Sequence, residues 1–129
     1  MPELRKIMLV ENEEEIRDIE CLCLEDLGKF DITSCASGHE AIDKFHSEKP
    51  QLIMLDVMMP GMNGMQTFEK LKTLPGGKDV PVVFVTARAH NVQISEYMKA
   101  GAAGVIAKPF DPITIIKEIT SIWEKHSAA

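Results

Sequence analysis

Gln51-Leu52-Ile53-Met54-Leu55-Asp56-Val57-Met58-Met59-Pro60-Gly61-Met62-Asn63-Gly64 is an apolar run that stops on an acid and then breaks into turn residues. An unbroken apolar run of this length offers no polar face to water, so Leu52 to Leu55 read as a strand buried on both faces. Asp56 is the first charge at its C-terminal end. In an open parallel sheet, ligands bind in the crevice beyond the carboxyl ends of the strands, which places this acid well for a polar site. The alternative is an ordinary strand-end Asp capping a turn. Pro60-Gly61 and Asn63-Gly64 supply fixed and positive backbone angles for the loop that follows.

The same theme recurs on either side. Lys6-Ile7-Met8-Leu9-Val10 is a first apolar strand that gives way to Glu11 and Asn12. From Glu13 the period changes: Ile16, Ile19, Cys23 and Leu27 fall at helical spacing, with acids in the first turn that suit the positive end of a helix dipole and Gly28 as the stop. Phe30 to Cys35 form a weaker strand. Ser37 and Glu40 have capping-box spacing for a second helix carrying Ala41, Ile42 and Phe45. Met65, Phe68 and Leu71 mark a third helix, closed by Pro75-Gly76-Gly77. Pro81 to Val85 form a fully apolar fourth strand ending on Thr86, and β-branched residues favour it. A fourth helix from about Ala89 to Ala100 shows no clean apolar stripe, which points to an exposed apolar surface. Gly101 stops it. Gly104-Val105-Ile106-Ala107 is a fifth strand ending on Lys108-Pro109, and a last helix carries Ile113, Ile116, Ile119, Ile122 and Trp123.

Size and composition set the bounds. A chain of 129 residues supports one compact domain, here spanning 1–129. Its 45% hydrophobic and 26% charged residues are ordinary for a globular protein. No apolar run is long enough to span a membrane, and no secretory signal opens the chain, so the expected location is the cytoplasm. A formal net charge of -6 disfavours direct binding to nucleic acid. Cys21, Cys23 and Cys35 are an odd number in such a chain and read as packing residues; two helical positions apart, Cys21 and Cys23 cannot face one metal. His39, His46, His90 and His126 read as surface residues.

Five short strands alternating with five helical patterns define an α/β fold, a doubly wound five-stranded parallel sheet flanked by five helices. Right-handed crossovers carry all five strand C-termini to one rim, where Glu11, Asn12, Asp56, Thr86 and Lys108 converge. This is a coherent set for accepting a phosphoryl group. The Asp56 carboxylate is a nucleophile able to form an aspartyl-phosphate. Mg2+ suits an oxygen shell drawn from Glu11, Asn12, Asp56 and a loop carbonyl, assigned to Met58. Lys108 neutralises charge, and Thr86 can donate to a phosphoryl oxygen.

With these residues in view, the chain resembles the response-regulator receiver domain of two-component signalling (flavodoxin-like, CheY-like) over essentially its whole length. The matching motifs are Met8-Leu9-Val10-Glu11-Asn12-Glu13, Leu55 to Gly64, Val85-Thr86-Ala87, Gly101-Ala102 and Lys108-Pro109-Phe110. The resemblance implies that Asp56 is the phosphorylation site, Thr86 the switch hydroxyl and Lys108 the phosphate-pairing lysine, with a cis Lys108–Pro109 bond. It implies a histidine kinase or a histidine phosphotransfer protein as donor. It also implies no enzymatic activity beyond the chain's own phosphorylation and dephosphorylation, and output to a protein partner through the face of helix four, strand five and helix five. No second domain is expected after the last helix, and the acidic residues that support dimers in DNA-binding relatives are absent from Ala102-Ala103-Gly104-Val105.

Four positions depart from the family pattern or tune it. Asn12 stands where the family has an Asp, which removes one negative charge and predicts weaker Mg2+ binding; two unit charges 4 Å apart interact by about 4 kcal/mol at an effective dielectric of 20, before desolvation. Val105 stands where an aromatic residue usually couples to the threonine, so the signal is expected to travel through the loop after Thr86 and helix four. Met58 and Arg88 occupy the positions that govern water access to the acyl phosphate. An apolar Met58 cannot align water, which predicts slow self-dephosphorylation. Asn12 and Val105 also keep open the alternative of a pseudo-receiver that binds partners without phosphorylation. A phosphatase is disfavoured because Met58 is not a second acid. A flavin protein is disfavoured because the loop after the first strand is acidic.

Overall fold

The computed structural model of the chain describes residues 3–87, 91–108 and 111–128. Arg88, His90 and the Lys108–Pro109 bond, each the subject of an expectation above, lie outside the described residues. The elements alternate as β1 (Lys6–Val10), α1 (Glu14–Asp26), β2 (Asp31–Cys35), α2 (Gly38–Glu48), β3 (Leu52–Asp56), α3 (Gly64–Thr73), β4 (Val82–Thr86), α4 (Asn91–Lys99), β5 (Gly104–Ala107) and α5 (Pro112–Ala128), with a 3₁₀ turn at Gly77–Asp79. All strand pairs are parallel, in the order β2-β1-β3-β4-β5.

Side chains alternate across the sheet and feed two cores. Met8, Val10, Ile53, Leu55 and Phe84 face α2 and α3, where Ala41, Phe45, Phe68 and Leu71 are buried. Ile7, Leu9, Leu52, Met54, Val83 and Val85 face α1 and α5, packing on Leu24, Ile115, Ile119 and Trp123. Burying an aliphatic side chain of this size contributes roughly 1.5–3 kcal/mol. The central strands β3 and β4 are buried along their whole length, as continuous apolar runs require.

The helices depart from the sequence reading in informative ways. In α1 the stripe Ile16, Ile19, Cys23 and Leu27 is not the buried one: Ile19 and Leu27 are exposed, and the residues that turn inward are Glu20 and Leu24. Helical spacing identifies a stripe without saying which way it points, and here the sheet takes the stripe carrying an acid. Gly28 does not stop α1 by a positive φ; Leu27 is the cap, and Lys29 takes the left-handed conformation (φ 59°). A Cβ at Gly28 would sit 2.7 Å from the Phe30 ring, so close packing is what holds that glycine. In α5, Ile113 is exposed and Ile115 takes the buried place assigned to it. In α4 no described side chain is fully buried, in keeping with its weak pattern.

Caps fix the helix starts. Ser37 Oγ accepts from Glu40 N at 3.1 Å, while the Glu40 carboxylate accepts from Ala36 N at 2.7 Å. Asn63 caps α3 through a reciprocal box with Gln66.

Candidate functional site

The strand order reverses between β1 and β3, and in an open parallel sheet the crevice at this switch point is the ligand site. Glu11 follows β1 there, Asp56 closes β3, Thr86 closes β4 and Lys108 follows β5. The sequence-predicted residues are therefore brought to one rim. Glu11, Asp56 and Thr86 are 1%, 4% and 0% exposed, so an acid pair and a hydroxyl are held away from bulk water.

Lys108 joins the acids. Its ammonium donates to Glu11 Oε1 and lies 3.4 Å from Asp56 Oδ1. Its own N–H donates to the Thr86 carbonyl at 2.9 Å, which ties the end of β5 to the end of β4. The second Glu11 oxygen accepts from Glu13 N at 3.1 Å, and Arg17 donates to the Glu11 carbonyl at 2.8 Å. Asp56 Oδ1 accepts from Met58 N at 3.2 Å. Met58 thus contributes backbone to the rim while its side chain is exposed. Asn12 is half-buried beside Glu11.

The loop after Asp56 is held by backbone proximity. Gly64 opens α3 with its N–H donating to the Val57 carbonyl at 3.0 Å. A Cβ there would lie 2.5 Å from the Asp56 carbonyl oxygen and 2.6 Å from Val57 Cα. Gly64 is needed for this close approach and not for a positive φ, which corrects the turn reading of Asn63-Gly64; Gly61 has the positive φ (71°).

The electrostatics follow from too many acids in too little water. Burial raises the Asp56 carboxyl to about 6, the neighbouring Glu11 adds to the rise, and Lys108 opposes it. For Lys108, desolvation works against its charge, but the Glu11 hydrogen bond and the Asp56 charge outweigh it and raise its pKa. Glu20, on the inner face of α1, is raised to about 8 by burial first and by Glu11 second. Asp56, Met58 and Lys108 line an open groove of about 490 Å³ together with Glu13, Ile16, Ile19, Glu20 and Ala87.

Among the described residues, no three His, Cys, Asp or Glu side chains stand close enough together to hold a metal ion by themselves. Mg2+ does not need three, because it is commonly held by one or two carboxylates with waters and phosphate oxygens completing its shell. Glu11, Asp56, the Asn12 amide and the Met58 carbonyl fit that hard-oxygen chemistry. A buried carboxyl oxygen of Glu20 without a partner marks a place where polar company is wanted.

Glu20 is the residue that sequence reasoning missed. The available signal was the i, i+4, i+8 line Ile16, Glu20, Leu24, an acid set into an inward stripe. Tyr97 of α4 packs against the strand that carries Thr86. Its ring lies 5.1 Å from that of Phe84, which packs edge-on against Phe68 at 5.3 Å. Phe84 also stands opposite Val105 in the sheet register. An aromatic contact thus reaches α4 from the strand that carries Thr86, though the usual aromatic position is Val105.

A buried carboxylate paired with a lysine, beside a buried hydroxyl at the switch point of a five-stranded parallel sheet, is the arrangement this rim presents. The family model for the response regulator receiver domain matches residues 7–120, and the chain belongs to that family. It is 33% identical over 123 residues to the phosphate regulon transcriptional regulatory protein PhoB of Escherichia coli, covering 95% of this chain and 53% of that protein. It is 34% identical over 129 residues to the response regulator Rre1 of Synechocystis, covering 100% of this chain and 56% of that protein. The chain spans about half the length of these curated relatives. Among solved structures, the chemotaxis protein CheY4 of Vibrio cholerae superposes with a TM-score of 0.85 at 27% identity, covering 93% of this chain and 99% of that one. The five-stranded, five-helix architecture is that of these neighbours. Receiver domains act with histidine kinases and downstream effectors, and they bind Mg2+ at an acidic pocket. Among the described residues, no helix is long and apolar enough to cross a membrane.

Proposed function

We propose that this chain is a phosphorylation switch that accepts a phosphoryl group on Asp56 from a histidine kinase or a histidine phosphotransfer protein. The observation that carries the reading is the buried Glu11–Lys108–Asp56 cluster beside Thr86. An Asp56 oxygen attacks phosphorus in line, the phosphorus–nitrogen bond to the donor imidazole breaks, and its electron pair leaves with the imidazole. Met58 N and Lys108 hold the attacking carboxylate in place. Lys108 then has two acids and a phosphoryl group within reach, and Thr86 donates its hydroxyl to a new phosphoryl oxygen. Mg2+ supplies charge neutralisation when bound, through Glu11, Asp56, Asn12 and the Met58 carbonyl. The missing charge at Asn12 weakens that binding, and the chain has no activity beyond its own phosphorylation and dephosphorylation.

The exposed stripe of α1, Ile19 with Leu22, adjoins the groove at Asp56 and suits the docking of the donor. Output passes to a protein partner through the α4, β5 and α5 face, where Val92, Met98 and Ile113 are exposed. No described residue gives the pseudo-receiver alternative independent support. Transfer from an autophosphorylated histidine kinase carrying radiolabel tests the reading. Label should move to the wild-type chain and not to Asp56→Asn; label on both proteins, or on neither across a panel of kinases, would contradict it.

A further inference from the structure

Glu20 sits on α1 one turn before Leu24, where the helix meets the sheet with hydrocarbon. It is 4% exposed, and its Oε1 is buried with no hydrogen-bond partner. Leaving a buried polar group unpaired costs about 1–3 kcal/mol, and a leucine at this position would avoid that cost. The carboxyl lines the groove shared by Asp56 and Lys108. The nearby cations are engaged elsewhere: Lys108 is paired with Glu11 and Asp56, and Arg17 donates to the Glu11 carbonyl. The Glu20 side chain therefore stands at the groove of the acceptor site with one carboxyl oxygen buried and unpaired, in a chain that has an amide at position 12.

We propose that Glu20 is an outer carboxylate of the divalent-cation site, accepting a hydrogen bond from a water of bound Mg2+ and, once ionised by the arrival of the cation, supplying the negative charge that Asn12 omits. This rests on the Mg2+-assisted reading above. An outer role fits the absence, among the described residues, of three acidic side chains close enough to hold an ion directly. It also fits the reluctance of Mg2+ to shed its waters. Groups that hydrogen-bond to a metal's ligands orient them and typically tune affinity by 10–100-fold. Glu20 is in these terms a positioning residue that acts on the cation through water.

The test is calorimetric titration of MgCl2 into the full chain, for wild type, Glu20→Gln, Glu20→Leu, Asn12→Asp and the Asn12→Asp/Glu20→Gln double variant. Glu20→Gln should weaken Mg2+ binding about tenfold. Glu20→Leu should lose at least as much affinity while melting no lower than wild type, which separates a cation role from a packing role. With an Asp at position 12, the loss on Glu20→Gln should shrink. Wild-type affinity in Glu20→Gln, with the wild type binding Mg2+, would overturn this inference alone. A wild type that binds no Mg2+ would overturn both it and the reading on which it rests.

Discussion

Replacing Asp56 by Asn should stabilise the fold at neutral pH in the absence of Mg2+. The carboxyl is 4% exposed, and its pKa rises from 3.8 to about 6 because burial and Glu11 together outweigh Lys108. An acid whose folded value lies above its unfolded value binds its proton more tightly when folded, so ionisation opposes folding. That penalty is absent below about pH 3.8, grows as pH rises toward 6, and is complete above 6. A shift of this size corresponds to about 3 kcal/mol. Asn keeps the shape and can still accept from Met58 N, and Lys108 retains Glu11. For a domain of this length, the gain amounts to a rise in Tm of roughly 10 °C. Thermal unfolding followed by circular dichroism in EDTA should show the full gap at pH 7.5 and a gap of about 1 kcal/mol at pH 4.5. Saturating Mg2+ should narrow the pH 7.5 gap by stabilising the wild type. An Asp56→Asn variant that melts at or below the wild-type temperature at pH 7.5 would refute the reasoning.

Gly64→Ala drives a methyl into the Asp56 carbonyl and the Val57 Cα, so urea unfolding should show a loss of about 1–3 kcal/mol. Met58→Asn places a group able to hydrogen-bond water on the exposed side chain beside the acceptor, and should speed loss of the phosphoryl group after donor removal; an unchanged rate of release would refute it. Asn12→Asp should tighten Mg2+ binding, measured by calorimetry, and no tightening would remove the charge argument. Burial pushes the Cys35 thiol up to about 12, so in the native state iodoacetamide at pH 8 should modify half-buried Cys23 well before Cys35.

The strands were legible because burial on both faces leaves continuous apolar runs, and Lys6–Val10 and Gly104–Ala107 coincide with the residues read from sequence. Glu11, Asp56, Thr86 and Lys108 were legible for a related reason. Each is the first polar or charged residue where an apolar run gives out, and parallel topology alone brings such residues to one rim. Helix faces were less legible. Ile19 and Leu27 keep a regular spacing yet point to solvent, because the direction in which α1 turns is set by its contacts with β1 and α5 and not by its own period. Glu20 was hard to read for that reason: even on the line Ile16, Glu20, Leu24, an acid reads as a solvated residue until the packing turns it inward. Gly64 shows the limit for loops, since its need is set by the Asp56 carbonyl, a group eight residues away whose approach no local pattern reports.

Phosphorylation at Asp56 is the claim on which the rest depends, and intact-protein mass spectrometry tests it most directly. The chain is incubated with Mg2+ and a small acyl-phosphate donor, beside an Asp56→Asn control. The account predicts a mass gain of one phosphoryl group in the wild type and none in the variant. No gain in the wild type, or an equal gain in Asp56→Asn, would contradict it.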